Sequence, residues 1–498
     1  MAQEASDMAD YRASDTAGGG EGVSRLFLAC FLSIFATSAA FIVRALVITE
    51  WGTTFNLSEA QKGAIFPGAA LFPFAISIVL FSLFIDRLGY GKTMAFAVLA
   101  QLGGTIVTIL ASTVDMAAAQ AAGPAALANA TTRAYQFLYF GTFITALGNG
   151  AVEAVANPVT ATIYPRNKTH YLNILHAGWP GGLVAMGVVT ILMGTSVSWE
   201  WKIALVFIPT LLYGVLLLGQ RFPVQERVAA GVSYADMMRE FGAAGAFIIT
   251  WFLAMATLTV VAISVPNVTG QTYWETVNSY GPPIIALLCA LAFFVVYRSL
   301  GRPMFIFLLL VMILLATTEL GVDSWVTDLM TPAFGKYAGW LLVYTSAIMF
   351  VLRFFAGPIV HRISPLGLLA TCAALAAVAL LILSGVGSNV PLVILAATLY
   401  GVGKSFFWPT TLGVVAEQFP RGGALTLSAM GGMGMIAVGV LGGPFLGTLV
   451  DQRMDRNVAM QAPEIHEKIV GEPEKGYGMS YRKLDQAAVA ALPEAERQ

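Results

Sequence analysis

GNGAVEAVANPVTATIYPRNKTHYLNILHAGWPGG, residues 148–182, decides how the rest of the chain is read. An apolar run carries one carboxylate, Glu153, and an amide, Asn157, one helical turn later. It stops at Pro165-Arg166, crosses a short basic loop, and re-enters an apolar run through Asn173, His176 and Trp179. A charge inside an apolar span costs several kcal/mol or more, so Glu153 is a functional candidate by default.

The flanking sequence gives this stretch its setting. The chain is 57% hydrophobic and 11% charged, where soluble domains carry about 25% charged residues. Apolar runs of about 20 residues recur from end to end, the length at which a helix crosses a bilayer. The expected class is therefore an all-α polytopic membrane protein, with the lipid bilayer as its surroundings. A net charge of −1 gives no reason to expect a nucleic-acid partner. Cys30, Cys289 and Cys372 all fall inside apolar runs and read as small core residues, neither a disulfide framework nor a metal site. There is no phosphate-binding loop of the G-x4-G-K-[ST] type and no His/Cys cluster, so ATP-driven transport, a bound metal and a cofactor are not expected. No nucleophile–base pair points to an enzyme.

The chain divides by hydropathy. Residues 1–24 read as a disordered cytoplasmic tail. Residues 25–218 hold six spans, with Ser112 to Ala134 too Ala-rich to add another. Residues 219–301 form a polar connector followed by two inserted spans. Residues 302–450 hold five more, and the charged stretch 451–498 holds none. Basic residues concentrate in alternate loops, at Arg87 and Lys92, Arg166 and Lys168, Arg221, Arg227 and Arg239, Arg298 and Arg302, Arg362, and Arg421. Those loops are expected to be cytoplasmic, together with the N-terminus, in the plasma (inner) membrane. The count is thirteen, which places the C-terminal stretch outside.

The two halves echo each other. Asp86-Arg87-Leu88-Gly89 and Arg362-Ile363-Ser364-Pro365-Leu366-Gly367 each separate two apolar helices. Pro158 through Pro165-Arg166 is matched by Trp408-Pro409 through Pro420-Arg421. Duplicated six-helix halves resemble the major facilitator superfamily, and Asp86-Arg87-Leu88-Gly89-Tyr90-Gly91-Lys92 resembles its loop signature, with Ser82 and Tyr90 departing from it. The resemblance implies a two-half helical bundle, here with two extra spans between the halves and the last helix apparently missing. In such a loop, a carboxylate and a nearby arginine can lock a gate that rocking breaks and remakes. Positive-inside topology alone would also explain these charges.

The stretch E-x3-N-P at Glu153 to Pro158, the asparagine opening the fifth span, Asn56-Leu57-Ser58, Phe350 to Phe354 and Trp408-Pro409-Thr410 are similar to the fucose–galactose–glucose:proton symporter branch. That resemblance implies proton coupling and sugar binding at Glu153. Glu153 lies about twelve residues from the cytoplasmic end of its span, ~18 Å at the rise of a helix, near the depth where transporter sites cluster. The branch also uses an aspartate in its first helix; that position falls here at Ala45, beside Arg44.

The resulting candidates are Glu153 and Glu319 for proton coupling. Asn157, Asn173, His176, Trp179, Lys404 and Trp408 are candidates for holding the solute, and Asp86, Arg87, Lys92, Arg353 and Arg362 for gating. Each has a plainer alternative. Glu153 could be a structural carboxylate, and Lys404 a counter-ion within reach of Glu153 or Glu319. Arg353 could sit in an interface ion pair, Arg44 could snorkel to the outer interface, and His176 could be a packed, hydrogen-bonded histidine. Trp179, Trp325 and Trp408 could serve packing alone. The expected activity is secondary transport of a small polar solute, a sugar by resemblance, coupled to protons. An exporter or uniporter of an organic anion, or a transporter-like receptor that binds without flux, remain the rivals. Oligomeric state is not readable.

Overall fold

The computed structural model describes residues 21–264, 268–270, 273–324, 339–385, 389–476, 478–484, 488 and 492. Trp325 lies outside them. Helix α1 (Glu21–Phe55) opens the bundle. A π-helical turn, Ala64–Leu71, leads into α2 (Phe72–Leu88). Next come α3 (Tyr90–Ile109), α4 (Pro124–Ile163), α5 (Lys168–Met193) and α6 (Phe207–Leu217). The inserted pair is α7 (Tyr234–Ser264) and α8 (Trp274–Tyr297). The second set runs α9 (Pro303–Ala316) with a π turn at Thr317–Gly321, α10 (Gly339–Arg353), α11 (Ala356–Ile363) and α12 (Pro365–Gly385). It continues through α13 (Val390–Lys404), α14 (Phe407–Gln418), α15 (Gly423–Ala437) and α16 (Gly443–Gln461).

Eleven of the described helical segments are long and apolar enough to cross a membrane, and α10–α11, bent by 68°, make a twelfth. Helix α4 is long enough as well, at 40 residues, but its apolar face is diluted by Ala, Gly, Thr and Asn. The all-α polytopic expectation is met. Two boundaries differ from it. Ser112 to Ala134 is not a plain linker: Met116–Ala121 is helical and α4 begins at Pro124, because alanine is the best helix former even where it is a poor membrane anchor. Residues 451–498, expected as a polar tail or loop, carry further secondary structure. Helix α16 continues to Gln461, followed by α17 (Pro463–Ile469) and a hairpin of β1 (Val470–Gly476) and β2 (Met479–Leu484). Asp455 ties this part together, accepting from the Arg482 amide at 3.0 Å and meeting His466 at 2.6 Å.

Small residues let the helices touch. A Cβ on Gly104 of α3 would meet the carbonyl of Gly141 on α4 at 2.6 Å, and one on Gly150 would meet the Phe74 carbonyl of α2 at 2.4 Å. Close backbone approach is what holds helices together where lipid removes the hydrophobic driving force. Helix α7 lies against both α2 and α15, one from each half, whereas α8 packs on α7. Helix α7 is kinked at Gly242, whose φ of 71° only glycine adopts readily. There Ala243 and Ala244 donate to the carbonyls of Ser299 and Leu300, and Arg302 forms a two-pronged pair with Glu240 at 2.9 and 3.1 Å.

Candidate functional site

Two tryptophan–proline dipeptides shape the centre of the bundle. Pro180 in α5 and Pro409 in α14 have no N–H, so each leaves the carbonyl four residues earlier without a helical donor. Those carbonyls belong to His176 and Ser405. Arg353, at the bend between α10 and α11, serves both: Nη1 donates to His176 O at 2.5 Å and Nε to Ser405 O at 2.7 Å. Its Nη2 donates to Glu319 Oε1 at 3.0 Å. One buried guanidinium therefore joins the first half, through α5, to two groups of the second.

Across the same space lies Glu153. It is 3% exposed. Asn157 Nδ2 donates to its Oε2 at 2.7 Å, and Asn157 Oδ1 lies 2.8 Å from His176 Nε2. That last contact requires the tautomer with a proton on Nε2. The chain Glu153–Asn157–His176 thus ends at the residue whose carbonyl Arg353 holds. A cavity is lined by Glu153, His176, Trp179, Glu319, Arg353 and Trp408, closed by Phe74, Leu320 and Met435. Six of the expected site residues converge there. Glu319 Oε2 and Trp408 Nε1 are buried without a partner. Glu319 sits on the π turn of α9, a helical irregularity that re-aims side chains and is frequent at functional sites. Trp408 is seated over Gly434, where a Cβ would come within 2.6 Å of its ring.

Other expected residues fall elsewhere. Lys404, expected within reach of Glu153 or Glu319, hydrogen-bonds instead to Asp323 at 2.5 and 2.6 Å, with Thr345 at 3.3 Å. Tyr400 adds its ring face 5.0 Å from the ammonium and its hydroxyl 3.4 Å from Asp323. Asp323 follows Glu319 by four residues, one helical turn, and that spacing was the available signal for it. Asn173 Nδ2 donates to Thr410 Oγ1 of the other half at 3.2 Å. Arg44 does not snorkel: it is 3% exposed and donates from Nη2 to Thr145 Oγ1 at 2.9 Å.

The end of the bundle that carries the basic loops is closed. Helix α5 begins where α14 ends, so a positive helix terminus faces a negative one. Glu417 accepts from Thr169 N at 3.2 Å and from Thr169 Oγ1 at 2.6 Å. Lys168 donates to the Ala416 carbonyl at 3.3 Å and pairs with Glu226 of the connector at 2.7 Å. Asp86 pairs with Arg227, also of the connector. The candidate gate carboxylate therefore meets the linker between halves. Arg87, Lys92 and Arg362 are exposed. Replacing both Glu417 and Asp86 by their amides is expected to loosen this end by about 1 kcal/mol, roughly fivefold in the open population. Thiol labelling at Thr162→Cys, which lines the closed end, measures it; an unchanged rate in a background lacking the native cysteines would show that these bonds do not hold the end shut.

The profile of the Major Facilitator Superfamily matches residues 26–321. No curated protein sequence matches significantly. Among solved structures, FucP in its outward conformation is similar over 87% of this chain and 92% of its own, at 16% identity and a TM-score of 0.52. The proton:xylose symporter XylE bound to 6-bromo-6-deoxy-D-glucose covers 88% and 90%, at 14% identity and a TM-score of 0.56. The human organic anion transporter MFSD10 covers 86% and 94%, at 14% identity and a TM-score of 0.52. At such identities the likeness is one of fold. With more than half its length matching the family profile and an all-helical bundle of the same architecture, the chain belongs to the major facilitator superfamily.

Proposed function

We propose that this transporter moves a small carbohydrate-class solute by alternating access, coupled to protons through Glu153. The observation that carries this reading is the buried chain Glu153–Asn157–His176 facing Arg353–Glu319 across one cavity, with Trp179 and Trp408 in its walls. A carboxylate held by an amide, out of water and without a basic partner, is suited to taking up and releasing a proton. The aromatic rings offer flat apolar faces to a pyranose or furanose ring. The free polar atoms Glu319 Oε2 and Trp408 Nε1 are left for its hydroxyls. The likeness to the proton:xylose symporter XylE supports the same class. In this reading Asn173, Lys404 and the Asp86 loop shape and gate the path, and the basic end is cytoplasmic and closed.

Purified protein should be stabilised against heat by at least one member of a panel of neutral and acidic monosaccharides. A ligand at a hundred times its Kd adds about 2.7 kcal/mol. Trp408→Ala should remove that stabilisation. A panel in which no carbohydrate shifts the unfolding temperature would overturn the solute class, and binding without flux in vesicles would overturn transport.

A further inference from the structure

Six cationic side chains are buried among the described residues. Five have a carboxylate partner: Lys168 with Glu226, Lys202 with Glu50, Arg227 with Asp86, Arg353 with Glu319 and Lys404 with Asp323. Arg44 has none. Its guanidinium donates only to the Ala40 carbonyl of its own helix, at 3.0 Å, and to Thr145 Oγ1. Its Nε is buried without a partner, and so is the nearby Thr142 Oγ1. Both residues line a second cavity with Thr37 and Asn149. Phe74 and Trp179 line this cavity and the central one alike, so the two adjoin. Arg44 is about nineteen residues along α1 from Arg25, ~28 Å, on the side of Glu153 away from the basic loops.

An unpaired buried charge is costly, and a built site that leaves one open is complete only with an anion. We infer that Arg44 binds the carboxylate of the solute, and that the solute is a monocarboxylated carbohydrate of the uronate or aldonate class. The inference rests on the transport reading above and narrows its substrate. It also explains the coupling. Among the described residues, Glu153 is the other buried charged residue without an opposite partner in hydrogen-bond contact. The groups facing it are the Asn157 amide, the His176 imidazole and the Arg353–Glu319 pair, which is neutral as a unit; Arg44 faces Thr142, Thr145 and Asn149. Empty and deprotonated, the pair Glu153 and Arg44 sums to zero. With a proton on Glu153 and a carboxylate on Arg44, it sums to zero again. Either half-loaded form carries a unit charge in a low-dielectric core, which opposes reorientation. One proton and one monoanion therefore travel together, without net charge.

The test uses the purified full chain in proteoliposomes, with D-glucuronate and D-glucose as probes. D-glucuronate should accumulate on an inward proton gradient, and an imposed inside-negative potential should leave its initial rate unchanged. Heat stabilisation should be seen with D-glucuronate and not with D-glucose, a comparison that needs no variant. Arg44→Gln should cost about tenfold or more in D-glucuronate affinity, and Arg44→Lys should restore part of it. Accumulation of D-glucose with no response to D-glucuronate would overturn this inference and leave proton-coupled sugar transport standing. A rate that climbs with the potential would overturn the paired-charge account. Uptake of D-glucuronate that depends on Arg44 but ignores both the proton gradient and Glu153→Gln would overturn the coupling reading and keep the Arg44 site.

Discussion

Glu153→Gln should abolish uphill accumulation while leaving exchange of solute for solute nearly intact. Glutamine has the shape and hydrogen-bonding pattern of a protonated glutamate. Its side-chain oxygen can still accept from Asn157 Nδ2, as Glu153 Oε2 does at 2.7 Å, so the packing of α4 against α5 is preserved. What is lost is the ionised state. The variant is fixed in the form that the proton would create, so a loaded carrier can reorient in both directions. The empty carrier would then hold Arg44 with no opposing carboxylate, and its return is opposed. Net uptake should fall by about two orders of magnitude or more, as for loss of an acid–base group. The pH dependence follows with its sign. Wild-type uptake should rise as the external medium is acidified, since protons would then load Glu153 from that side; the variant's exchange rate should stay flat with pH. Undiminished accumulation in the variant would remove Glu153 from the coupling step.

The second large effect is on stability. Lys404 is fully buried, and the Asp323 carboxylate accepts two of its hydrogen bonds. Breaking such a pair from one side leaves the other charge stranded. Lys404→Met, or Asp323→Leu, should each cost about 3–5 kcal/mol, whereas removing both together should be neutral or even stabilising. Unfolding in a denaturing detergent titration would resolve singles from the double. If the double variant falls as far as the sum of the singles, the pair is not an isolated electrostatic unit. Its ties to Tyr400 and Thr345 would then have to account for the rest.

Much of the architecture was legible because bilayer spans are long and their hydropathy is strong. Charged residues within them stand out for the same reason. Glu153, Glu319, Arg353, His176 and the two tryptophans could all be singled out one at a time. Pairing could not. Asp323 does not stand out at the end of its apolar run, although four-residue spacing puts it on one face with Glu319 and the fold pairs it with Lys404. Arg227 and Glu226 read as ordinary connector charges, and only the folded chain brings them to Asp86 and Lys168. The convergence of His176 O and Ser405 O on Arg353 depends on two prolines far apart in sequence, and no periodicity expresses it. Residues 451–461, DQRMDRNVAMQ, have no apolar face long enough to mark a span, yet they continue the last helix.

The inserted hairpin bears on how a solute gets in. Helix α7 lies along the seam where α2 of one half meets α15 of the other, and α8 backs it from the bilayer side. Acyl chains cannot reach that seam. A greasy compound dissolved in the membrane would find its sideways door bricked up on this side of the bundle, leaving water as the route of entry there.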